Sequence, residues 1–77
     1  MVILDFSLPN LQGNEAIHKV KATHPEVKVL VLSMHEDMEY LRQAIANGAE
    51  GYLIKENVDK ELLHAIEKIR RGGIYTP

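Results

Sequence analysis

Short apolar runs alternate with segments of helical period from one end of this 77-residue chain to the other, and that alternation leaves few folds open. Val2-Ile3-Leu4, "KVLVLS" (Lys28 to Ser33) and "GYLI" (Gly51 to Ile54) are apolar almost without interruption, as strands covered on both faces are. Between and after them the apolar residues take helical spacing. Ala16, Ile17 and Val20 share a face while Glu15, Lys19 and Lys21 lie off it. His24-Pro25 stops that segment, because a residue before proline disfavours the α region. Leu41, Ala44 and Ile45 group in the next segment, closed by Asn47-Gly48. Leu62, Ala65, Ile66 and Ile69 form the clearest stripe, at i, i+3, i+4 and i+7; Gly72-Gly73 ends it, and Asn57 or Asp59 is expected to cap its start. "IYTP" is expected to lead out of the domain.

Strand and helix alternating with short joints is the βαβ pattern. The expected fold class is therefore α/β, three parallel strands alternating with three helices through right-handed crossovers. In open sheets of this kind ligands sit beyond the carboxyl ends of the strands. Asp5, Ser33 and Lys55 stand at those ends, one after each run.

Composition narrows the function classes. The absence of cysteine excludes disulfides and thiolate metal sites. Nine Lys+Arg against eleven Asp+Glu leave a net charge of −2 and no electrostatic footprint for nucleic acid. No apolar run is long enough for a membrane, and no leader is visible, so a cytoplasmic domain is expected. At this length a self-sufficient core is near its lower limit.

Each polar strand end has an ordinary reading and a chemical one. An aspartate there often just forms a turn or caps a helix. In "DFSLPNLQG", however, Pro9 stiffens the loop and Gly13 permits an unusual backbone angle before the helix. Such a loop holds the Asp5 carboxylate outward, where it can act as a nucleophile toward phosphorus. Ser33 most often satisfies a loop backbone group; its chemical reading is a hydroxyl donating to a phosphoryl oxygen. Lys55 is usually a solvated lysine; after an apolar strand its ammonium can pair with Asp5 or with a phosphate on it. Tyr52 reads first as a packed aromatic with its hydroxyl at the surface.

Together, "ILDFSLPNLQG", "VLVLSMH" and "GAEGYLIK" resemble the receiver domain of two-component response regulators. "SMHED", "GAEGYLIKE" and "GGIYTP" are most similar to the subfamily whose receiver precedes a helix-turn-helix DNA-binding domain. The resemblance runs through residues 1–77 and covers the last three β-α units of the family's domain, the first two being absent. It thus implies a truncated flavodoxin-like fold. It also implies that Asp5 is the phosphoacceptor of a sensor histidine kinase, Ser33 the switch hydroxyl, Tyr52 the switch aromatic and Lys55 the phosphate-facing lysine. The backbone carbonyl of Ser7 matches a magnesium contact, and Pro9 and Gly13 match the loop that shapes the site. In such proteins phosphorylation draws the hydroxyl to the phosphate and lets the aromatic turn inward. That biases a surface made here of Met38 to Ala46 and the strand bearing Tyr52.

The resemblance also implies an incomplete metal site. The family ends its first strand with an acidic pair that supplies most of the Mg2+ ligands, and no counterpart is visible here. With Asp5 and the Ser7 carbonyl alone, Mg2+ is expected to bind weakly or not at all. Glu36 and Asp37 are expected to open a helix, where acids favour the N-terminal dipole, rather than to replace that pair. Glu56 stands where many relatives carry proline, and His18, His24, His35 and His64 form no ligand spacing.

In the family's strand order the first segment here is central, which leaves it as an exposed apolar edge. Two copies pairing antiparallel through Met1 to Asp5, with Val2 and Leu4 near a two-fold axis, would close it; a homodimer is expected. The leading functional reading is a receiver fragment of a phosphorelay, not an enzyme, with phosphorylation impaired by the missing acidic pair. A self-assembling or protein-interaction module without phosphotransfer is the alternative. A small hydrolase built on Asp5 and Lys55 ranks last, because no general base or phosphate-cradling glycine loop accompanies them. The cations of "IEKIRRGG" suit a solvated helix end, so no nucleic-acid contact is expected.

Overall fold

In the computed structural model, which describes residues 1–6, 11–34 and 38–76, three strands pair in parallel in chain order. They are β1 (Val2–Phe6), β2 (Val29–Ser33) and β3 (Gly51–Ile54). The helices are α1 (Leu11–Thr23), α2 (Met38–Ala46) and α3 (Val58–Arg70), the last preceded by a single 3-10 turn at Lys55–Asn57. Register runs Val2 with Val29 through Phe6 with Ser33, and Leu30 with Gly51 through Ser33 with Ile54. The expected α/β architecture is the one observed. Strand β1 reaches one residue past Asp5, and β2 begins one residue after Lys28.

The apolar runs are continuous because the sheet is covered on both faces. Val29, Val31, Tyr52 and Ile54 pack with Ile17 of α1 and Ala44 of α2 on one side. Leu30 and Leu53 pack with Ala65 and Ile69 of α3 on the other. Alternate residues of one strand thus enter different cores, and no position along β2 or β3 is left for a solvated side chain. Helix α3 approaches closely over Gly51: a methyl there would lie 2.6 Å from both Ile69 Cδ1 and Leu30 Cδ1.

Both glycine stops work as expected. Gly48 has φ 108°; its N–H donates to the Ile45 carbonyl, and that of Ala49 to the Ala44 carbonyl, each at 3.0 Å. Gly72, at φ 92°, repeats the arrangement: Gly72 donates to Ile69 and Gly73 to Lys68. These are Schellman motifs, which need a left-handed residue to satisfy the last carbonyls. At the amino ends of the strands, Lys21 donates to the Val27 carbonyl at 2.8 Å and pairs with the Glu50 carboxylate at 2.5 Å.

Three local expectations are corrected. Asn57 occupies the N-cap position of α3 without a side-chain cap bond, and Asp59 lies inside the first turn, because the 3-10 turn already leads the chain into the helix. Gly13 lies within the first turns of α1, not ahead of it, since the helix begins at Leu11. "IYTP" does not lead directly away. Tyr75 lies parallel to Gly51, donating to the Glu50 carbonyl and accepting from the Tyr52 N–H at 2.9 Å each, and thereby pairs the outer edge of β3. Ser7, Pro9, His35, Glu36 and Asp37 lie outside the described residues. On the other side of the sheet, nothing among the described residues pairs with the outer edge of β1, where Met1 and Ile3 are 49% and 46% exposed. No described helix is long and apolar enough to cross a membrane.

Candidate functional site

Parallel strands end along one edge, and here that edge gathers the polar residues. Phe6, Ser33 and Ile54 are level across the sheet, Asp5 is level with Leu32, and Lys55 is the first residue past β3. Lys55 reaches across the end of β2, and its Nζ donates to Asp5 Oδ2 at 2.6 Å. The Asp5 side chain is 51% exposed and that of Lys55 30%. A pair this open to water is worth at most about 1 kcal/mol, so a competing anion separates it at little cost.

Ser33 closes β2 and is buried. Its parity puts it with Val29 and Val31 on the side of α1 and α2, whereas Asp5 shares the parity of Leu32, on the side of α3. Ser33 and Asp5 thus stand on neighbouring strand ends, one register level apart. Tyr52 belongs to a different neighbourhood. It is level with Val31, 1% exposed, and packed inward between the sheet and the two helices. The expected surface hydroxyl is therefore corrected: the whole side chain is covered, because α1 and α2 close over β3.

A divalent cation takes six or more oxygen ligands. Among the described residues, no three His, Cys, Asp or Glu side chains are placed to hold a metal ion. Asp5 already faces a lysine ammonium. The described donors do not fit Mg2+.

Among the contacts the sequence does not signal are the Lys21–Glu50 pair and a hydrogen bond from Asn14 to Gln43. Each joins residues 29 positions apart, and neither residue of either pair carries a local signal of its partner.

Residues 1–67 match the model of the response regulator receiver domain. The chain belongs to that family. This receiver chain is 37% identical over 75 residues to the transcriptional regulatory protein DegU of Brevibacillus brevis, covering 97% of itself and 32% of DegU. It thus spans about a third of the length of the curated relatives it matches. Among solved structures, a LuxR-family response regulator from Aurantimonas superposes with a TM-score of 0.85 at 31% identity, over 97% of this chain and 54% of that one. The isolated receiver domain of RcsB from Salmonella enterica serovar Typhimurium, in its apo form, superposes with a TM-score of 0.87 at 26% identity, over 99% and 56%. Receiver domains in general bind Mg2+, and response regulators are in general signalling and transcription proteins rather than enzymes.

Proposed function

We propose that this receiver chain takes a phosphoryl group from a sensor histidine kinase onto Asp5, in the cytoplasm, and passes the change to the surface of α2 and β3. The observation that carries the reading is the Lys55–Asp5 contact, which sets a cation against a solvent-open carboxylate at the strand ends. An Asp5 oxygen attacks the phosphorus of the donor's phosphohistidine; an O–P bond forms, the P–N bond breaks, and the imidazole leaves with the electron pair. The Lys55 ammonium moves from the carboxylate to an oxygen of the new acyl phosphate, which carries more charge. The Ser33 hydroxyl donates to another from the neighbouring strand end. Tyr52 is already packed inward, so on this reading phosphorylation holds it there and stabilises one position of α2.

The reading is tested with trifluoroberyllate, a phosphoryl mimic, added to the chain in magnesium-containing buffer and followed by amide NMR. Shifts should appear at Asp5, Ser33 and Lys55 and along α2, and should vanish in Asp5→Asn. Shifts that persist in Asp5→Asn, or no shifts at all, contradict it.

A second reading has its own observation. The edge of β1 that no described residue pairs, with Met1 and Ile3 half exposed beside it, suits pairing with the β1 of a second copy.

A further inference from the structure

The cleft between α1 and α2, on the flank of the molecule, contains a buried acceptor with nothing to accept. It measures about 400 Å³ and is lined by Asn14, Glu15, His18, Gln43 and Asn47. Asn14 is only 8% exposed, and its Oδ1 is buried without a hydrogen-bond partner among the described residues.

The identity of that orphan atom follows from the chain of contacts behind it. A carboxylate only accepts, so Gln43, which meets Glu39 Oε1 at 3.3 Å, presents Nε2 to it. Its Oε1 therefore faces Asn14, and Asn14 must answer with Nδ2, at 2.8 Å. The remaining Asn14 atom is an oxygen. Asn47 Nδ2 donates to the Gln43 carbonyl at 2.8 Å and makes no hydrogen bond to Asn14 Oδ1. A buried carbonyl left unpaired is costly, and a donor entering the cleft relieves that cost. The Glu15 carboxylate lines the same cleft. A guest must therefore donate, and a cation is favoured.

We propose that this cleft binds a guanidinium group, one N–H reaching Asn14 Oδ1 and the planar fork facing the Glu15 carboxylate. Guanidinium suits the site better than ammonium because it is flat, weakly hydrated and able to donate in two directions at once. The cleft volume lies within the range of small-ligand sites. A guest there touches both helices, so its binding ties α1 to α2.

The test is an amide NMR titration of the unphosphorylated chain with three probes: methylguanidinium, N-acetyl-arginine methylamide and neutral methylurea. Both guanidinium probes should give saturable shifts at the Asn14, Gln43 and Asn47 side-chain amides, and methylurea none. Tighter binding of the capped arginine would assign the site to an arginine of a partner peptide, and tighter binding of methylguanidinium to a free small molecule. Asn14→Leu should weaken binding about tenfold or more. Glu15→Gln, at an exposed position that leaves folding intact, should weaken it several-fold. Shifts that do not saturate, that methylurea reproduces, or that survive unchanged in Glu15→Gln overturn the proposal and leave the cleft to water alone.

Discussion

Asp5 and Lys55 are close enough for a strong charged hydrogen bond, yet both keep contact with water. The pair therefore contributes little to folding and is easily opened, as the proposed phosphoryl transfer requires. Replacing Lys55 with methionine should change the unfolding free energy in urea by less than about 1 kcal/mol. The same change should slow phosphoryl uptake on the order of a hundredfold, since a preorganised cation is lost where charge develops. Urea unfolding beside a labelling time course reads both effects. Tyr75 presents the opposite case, a side chain tied down by its neighbour. The hydrogen bond that its hydroxyl donates to Glu61 at 2.9 Å raises its pKa above the ordinary value, with burial and the Glu61 charge adding to the effect. The neutral phenol is thus favoured in the folded state. Its contribution is fully present below the unfolded tyrosine pKa, near 10, and is lost as pH rises through the higher folded value. Stability should fall above about pH 10, and less steeply in Tyr75→Phe, as measured by urea unfolding across that range.

Among the elements, the sheet and helices were legible because each is specified by its own residues. The run Gly51 to Ile54 is β3 as read, and the stripe through Ala65 and Ile69 is the buried face of α3. Gly51 shows how tightly those two elements meet. Gly51→Ala should destabilise the fold by about 1–3 kcal/mol through overpacking against Ile69 and Leu30, a loss visible as a lower urea midpoint with an unchanged slope. What the sequence left illegible depends on partners far along the chain. Tyr75 returns to β3 because the edge of that strand needs a backbone partner, a demand no residue of "IYTP" advertises. Asn57 looked like a cap, but the 3-10 turn made one unnecessary. At the site, the Asp5–Lys55 meeting followed from strand-end positions and the family resemblance together. The depth of Tyr52 did not, since only the packing of α1 and α2 over β3 decides it.

For the whole molecule, the two edges of the sheet differ. Tyr75 pairs the outer side of β3, while that of β1 has no pairing among the described residues and carries exposed Ile3. Sedimentation velocity should show a concentration-dependent dimer that Ile3→Lys converts to monomer, because a charge on that strand penalises edge pairing. An unchanged monomer in both proteins would remove the second reading and leave the first untouched. The central claim, that Asp5 accepts a phosphoryl group, is tested most directly by intact mass after incubation with acetyl phosphate and magnesium. The proposed function predicts an adduct of one phosphoryl group on the chain and none on Asp5→Asn. An unlabelled chain, beside a complete receiver that labels under the same conditions, would contradict it.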